Sequence, residues 1–258
     1  MAKDLFSTQA NAYAQYRPTY PKELLEYIVS FVENKTTAWD CATGNGQAAA
    51  ILSGYFEKVI GTDISKAQLK NAVEKDNISY QISTAEKTSF PDDSFDLITV
   101  ATAYHWFDHT AFHKEATRVG KNNCVVAAWT YGSLNTNDKN LNEIYQHFYQ
   151  NIIKSYWETE RKYVDENYET VPFDFIPLPS NIFYSGYKWT KKQFRGYIET
   201  WSAVQKYTKL NGESPLLQIE KELDRAWNDT DEKEIVFSIY LRMGSIRKPP
   251  YPKGEHQI

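Results

Sequence analysis

Residues 95–103 form a near-continuous apolar run, Phe-Asp-Leu-Ile-Thr-Val-Ala-Thr-Ala, inside a chain that otherwise alternates helical and extended patterns. A strand that is apolar on both faces has to be covered on both faces, which is the condition of a central strand in a parallel sheet. The flanking segments agree. Leu24, Leu25, Ile28, Val29 and Val32 recur at helical spacing and predict a helix over 21–33, with Pro21 in its first turn. Strands are expected at 37–42, 58–63 and 78–83, with an Ala-rich helix at 47–52 and a helix capped by Ser65 running to about 73. A helix over 109–119 behind Asp108 and a strand over 124–131 complete a five-strand α/β core.

After Tyr131 the character changes. Residues 133–140 read as polar and turn-like, 141–157 as helical, and 171–180 as a proline-punctuated loop. A strand at 181–189, helices near 190–201 and 214–227, and a closing strand at 234–243 finish the chain. The expected organisation is a lid helix and ligand-binding core over 1–131. Cap insertions and antiparallel edge strands over 132–258 would complete the same domain. Aromatic residues reach 15%, and a late group (Tyr145, Phe148, Tyr149, Trp157, Tyr184, Trp189, Tyr197, Trp201) is expected to build that cap.

Composition narrows the partners. With 258 residues and a net charge of −4, the chain has no general attraction for phosphate backbones or anionic membranes, so a small-molecule partner is expected and nucleic acid and membrane are not. The start lacks the apolar stretch of a secretory signal, and no run is long enough to span a bilayer. Cys41 and Cys124 fall in predicted buried strands, which suggests a reduced, cytoplasmic chain. Oligomeric state cannot be read.

The chemical signal is an ordered set. Asp40-Cys41-Ala42-Thr43-Gly44-Asn45-Gly46 is a strand running straight into a Gly-x-Gly turn, where the backbone turns sharply and a ligand can approach. Asp63 ends the next strand, where a carboxylate can accept from both hydroxyls of a ribose. Ala85 and Glu86 follow the third strand, and residues 101–106 end the fourth. Gly44-x-Gly46-x-x-Ala49 with Asp63 also satisfies a dinucleotide fingerprint, so an NAD-dependent oxidoreductase is the competing reading. Asp40 would oppose a pyrophosphate and favour a cationic ligand, and Glu86 has no task in a dinucleotide site.

These residues resemble the class I S-adenosylmethionine-dependent methyltransferases, in the branch of ubiquinone-biosynthesis and trans-aconitate enzymes (methyltransferase type 11). The matching pieces are residues 40–46, Gly61-Thr62-Asp63-Ile64-Ser65, Ala85-Glu86, 90–96 and 101–108. The amino-terminal stretch from Tyr13 to Pro21 and Thr200-Trp201-Ser202 also match. The likeness covers about residues 6–131. It implies a doubly wound, mostly parallel, seven-stranded Rossmann-like sheet with a helical cap, binding S-adenosyl-L-methionine. It places Asp40, Gly44, Gly46 and Ala101 around the methionine part, Asp63 on the ribose, Ile64, Ala85 and Glu86 at the adenine, and Tyr16 in a lid near the methionine end. Cys41-Ala42-Thr43 departs from the more usual Gly-Cys-Gly run.

Methyl transfer from a sulfonium asks the protein mainly to align the nucleophile and exclude water. His105 is the candidate general base, the alternative being a histidine that shapes the pocket. Tyr104, Trp106 and Trp201 are candidate pocket residues, with core packing as the alternative, and Arg17 could clamp a carboxylate or stack on a neighbouring tyrosine. His105, His109 and His113 repeat every fourth residue, yet Asp108 as N-cap takes His105 out of the helical register, so no metal is expected. The expected activity is methylation of a small molecule, on a carboxylate or hydroxyl oxygen. A non-catalytic S-adenosylmethionine-binding protein is a further alternative.

Overall fold

The computed structural model describes residues 16–248. Its first helix, α1 (Lys22–Ser30), follows Pro21 and buries Leu24, Leu25, Ile28 and Val29. Strands β1 (Thr37–Cys41), β2 (Lys58–Asp63), β3 (Ile78–Ile82), β4 (Phe95–Ala101) and β5 (Gly120–Asn135) are joined through α2 (Gln47–Leu52), α3 (Lys66–Lys70) and α4 (His109–Val119). The order across the sheet is β3-β2-β1-β4-β5, all parallel. Two further strands, β7 (Ile182–Thr190) and β8 (Glu232–Ser245), add antiparallel pairs beyond β5. β6 (Ile176–Pro177) pairs with the far end of β8, so eight strands fill seven positions.

Side chains alternate across the central strands and feed two cores. Ala38, Leu97, Val125, Ala127 and Trp129 face one side with α1 and α2. Trp39, Ile98, Val100, Val126 and Ala128 face the other with Phe112, Ala116 and Val119 of α4. Every residue of β4 except Ala101 is buried, as its apolar run requires. The cap consists of α5 (Lys139–His147), α6 (Arg161–Asp165), α7 (Lys191–Glu199), α8 (Ser202–Asn211) and α9 (Glu220–Ala226). Among the described residues no helix is long and apolar enough to cross a membrane.

The cap departs most from the sequence pattern. Residues 133–135, expected as a turn, extend β5, because a bulge after Tyr131 brings Leu134 and Asn135 into register with Phe237 and Val236. The segment 141–157 breaks into α5, a π-helical turn (Phe148–Ile152) and a 3-10 turn (Lys154–Tyr156). Helix α8 was not expected. Its signals were buried Ala203 and Val204 at the start and Gly212 in the left-handed conformation after its end. Helix α3 stops at Lys70, three residues short of the expected boundary.

Candidate functional site

The turn between β1 and α2 is built by backbone geometry. Ala42, Gly44 and Gly46 have φ of 54°, 56° and 79°. A Cβ on Gly46 would collide with the Tyr80 hydroxyl, so both the conformation and the space demand glycine. Thr43, where the sequence departs from the family pattern, takes no left-handed conformation. Its hydroxyl donates to Asp40, and the strained non-glycine position is Ala42.

Asp40 lies beneath this turn. It is fully buried: one carboxylate oxygen accepts from Thr99 Oγ1 (2.8 Å), and the other from Thr43 and from the Ala49 amide (3.1 Å). It braces the turn from below and does not line the cavity above it. Burial raises its pKa to about 6, against the three hydrogen bonds that favour the ion. Asp63 sits at the end of β2 with one oxygen 2.9 Å from the Gly44 amide and the other 2.8 Å from the Ser65 amide. It is half-buried at the carboxyl end of the strand.

Above the turn lies a cavity, open to solvent, lined by Ala42, Thr43, Gly44, Asn45, Ala101, Arg17, Tyr20 and Tyr131 among others. Gly44 and Ala101 therefore come together as expected. Ile64, 36% exposed, and buried Ala85 lie after β2 and β3. Glu86 accepts from the Asp108 amide (3.3 Å) and ties its loop to the start of α4. The Tyr16 ring packs against Gly196 of α7, on the cap, and Tyr20 lines the cavity. Tyr20 stacks on Tyr131 at 5.3 Å and its hydroxyl meets Thr102 Oγ1 at 3.2 Å. Tyr13 lies outside the described residues.

A second cavity shares Arg17 and Tyr131 with the first. Trp106 and Trp201 line it, as does His105. Tyr104 does not. It is fully buried against Phe107 and Phe112, and its hydroxyl donates to the Pro172 carbonyl (2.8 Å) and meets His113 Nε2 at 2.6 Å. Packing won there because Tyr104 opens a 3-10 turn (Tyr104–Trp106) that points it down into the core. Asp108 caps α4 by accepting from the Ala111 amide, so His105 lies outside the helix that carries His109 and His113.

His105 is 5% exposed, with Nδ1 2.8 Å from the Tyr168 hydroxyl. Burial, reinforced by nearby Arg161 and His109, lowers its pKa to about 3, so the ring is neutral at physiological pH and a weak proton acceptor. Arg17 donates from Nε to Thr200 Oγ1 (3.0 Å) and sits over the Tyr197 ring. It thus clamps the amino-terminal segment to the cap while its guanidinium borders both cavities.

The sequence reading missed Arg161. This side chain lines the second cavity, stacked 4.2 Å from the Trp157 ring and held through Nε by Tyr149 and Asp165, each at 3.1 Å. In sequence it sits within Glu158-Thr159-Glu160-Arg161-Lys162, which reads as a solvated charge run. Trp157 Nε1 is buried without a hydrogen-bond partner among the described residues, and its ring lines the same cavity.

Comparison with known proteins places this architecture. The family model described as a methyltransferase domain matches residues 39–128, from β1 into β5. A Dictyostelium discoideum protein named as a methyltransferase is 34% identical over 252 residues, covering 92% of this chain and 93% of that protein. YcgJ of Bacillus subtilis, also named as a methyltransferase, is 33% identical over 125 residues, 45% of this chain and 49% of its own length. Among solved structures, a type II methyltransferase from Anaeromyxobacter dehalogenans is similar at a TM-score of 0.82 and 32% identity, over 91% of this chain and all of that one. A glycine turn of fixed geometry, an aspartate at the end of β2, and this full-length likeness agree, and the chain belongs to the class I S-adenosylmethionine-dependent methyltransferases.

Proposed function

We propose that the protein O-methylates a small carboxylic acid with an apolar or aromatic body, held in the cavity between the sheet and the cap. The charge of that cavity carries the reading. Among its lining residues the fixed charges are the guanidinium groups of Arg17 and Arg161, and no Asp or Glu is present. Thr102, Thr130 and Ser202 add hydroxyls, and the buried Trp157 Nε1–H is a donor in want of an acceptor. Trp106, Trp157, Trp201 and Tyr197 supply the flat apolar walls.

The residues of the first cavity suit S-adenosylmethionine, which when bound supplies an activated methyl group. Gly44 lines the cavity with open space where a side chain would stand, and Asp63 lies beside it at the end of β2. Gly44, Gly46 and Ala101 would border the methionine part, Asp63 the ribose, and Ile64, Ala85 and Glu86 the adenine end. The chain's own work is then orientation and exclusion of water. Arg17 and Arg161 hold the carboxylate and keep it ionised, so its oxygen needs no proton removed. That fits a site where the candidate base, His105, is a poor one. The reduced thiols of Cys41 and Cys124, both buried, suit a cytoplasmic setting, and a small-molecule partner suits the net charge of −4.

The test is transfer of a labelled methyl group to a panel of small acids, each paired with its amide and its alcohol. Label appearing in an alkali-labile ester of an acid is the expected result. Label confined to the alcohols or amides would overturn the proposal.

A further inference from the structure

Behind the second cavity lies a strained turn that delivers Tyr168 into the core. Asn167 and Tyr168 both have positive φ, 54° and 62°, a conformation that L residues adopt at a cost. Arg242 of β8 holds this turn, donating from Nη1 to the carbonyls of Tyr168 (3.0 Å) and Glu169 (2.8 Å). What the turn achieves is the placement of one hydroxyl. Tyr168 is fully buried, and its oxygen lies 2.8 Å from His105 Nδ1.

The direction of that hydrogen bond follows from the chemistry of the two groups. A phenol carries a single hydrogen and is the stronger donor of the pair, an imidazole nitrogen is the stronger acceptor, and a buried O–H left without an acceptor costs free energy. Nδ1, at 2.8 Å, is therefore the acceptor for the Tyr168 hydrogen. Nε2 of His105 has no hydrogen-bond partner among the described residues, and the ring borders the cavity. Resting on the reading of this cavity as the acceptor site, we propose that Tyr168 is a positioning residue that locks His105 as the Nε2–H tautomer, a neutral donor to an oxygen of the bound acid. Burial and the nearby Arg161 disfavour the imidazolium, which keeps the donor uncharged. The histidine thereby reads the acceptor's shape and oxygen placement, while the arginines read its charge.

The test is long-range proton–nitrogen correlation of 15N-labelled protein, with His105 assigned by loss of its signals in His105→Gln. The expected spectrum shows Nε2 protonated and Nδ1 bare at pH 7, and the same at pH 5. A protonated Nδ1, or an imidazolium at pH 7, overturns the lock. In Tyr168→Phe the ring should become a mixture of tautomers, and an unchanged signature overturns the role of Tyr168. Should that variant fail to fold, the wild-type spectrum still decides the tautomer. Adding S-adenosylhomocysteine with an acid methylated in the panel should move the Nε2–H signal, and a signal that stays put overturns the donor role. A panel with no methylated acid removes the acceptor reading itself, while the tautomer result stands independently.

Discussion

The two cavities that meet at Arg17 and Tyr131 are made of different materials. The first is walled by a backbone turn, with the buried Asp40 carboxylate bracing it from behind. The second is walled by side chains drawn from β5, α5, α6, α7, the start of α8 and the segment that follows β4. A site of the first kind is specified by a few consecutive residues. A site of the second kind exists only after distant segments have folded together. The difference teaches which part of such an enzyme a sequence can disclose, and it predicts different responses to mutation on either side of the shared wall.

The largest effect belongs to the brace beneath the turn. Asp40→Ala leaves the Thr43 hydroxyl and the Ala49 amide without their acceptor and Thr99 with only the more distant Trp39 carbonyl, and stability should fall by about 3–5 kcal/mol, or roughly 10 °C in melting temperature. Its pH signature has a definite sign. The folded pKa of about 6 lies above the ordinary 3.8, so the folded protein holds a proton that the unfolded chain releases. Asp40's contribution is complete below pH 3.8 and is lost as pH rises through 6, so the stability of wild type relative to Asp40→Asn should decline over that window. Melting curves at a series of pH values check it, and a relative stability that grows with pH would contradict the burial argument.

Asp63→Ala should remove most of the stabilisation by S-adenosylhomocysteine, about 2.7 kcal/mol at a hundredfold excess over Kd, or roughly 5–10 °C. An undiminished shift would mean that the aspartate only pins Gly44 and Ser65. Across the wall, Arg161→Met should leave that shift intact while raising the acceptor KM about tenfold to a hundredfold, the range for a hydrogen bond to a charged group. Steady-state kinetics with the methylated acid decide it; a loss of cofactor binding instead would show that the two cavities are not separable. Trp157→Phe keeps the ring and deletes the unpartnered N–H, so KM should rise only about fivefold. Smallest and opposite in sign, Ala42→Gly should relieve the positive φ and stabilise the protein by about 0.5 kcal/mol, seen as a slightly higher melting temperature.

What was legible follows the same division. The apolar run of β4, the spacing of α1 and the caps Ser65 and Asp108 each rest on short-range physics, and the structure agrees with them. Gly44 and Gly46 could be read because only glycine suits such a turn cheaply. Asp40 was visible as a carboxylate, but whether it faced the ligand or the core depends on Thr99, on a strand 59 residues away. Tyr104 and Trp106 looked equivalent in sequence, and a single 3-10 turn sends one into the core and the other to the cavity. Arg161 sits in a run of charges that resembles any solvated helix start, and only the stacked Trp157 distinguishes it.

The absence of acidic side chains around the second cavity bears on turnover. An ester has no anionic charge, so the reaction as proposed erases the feature by which the guanidinium groups gather their guest. Product departure is then driven by the chemistry itself, and inhibition by the ester should be weak however much of it accumulates. The spent nucleoside, whose proposed contacts at Asp63 and the glycine turn do not sense that change, is left as the slower of the two to leave.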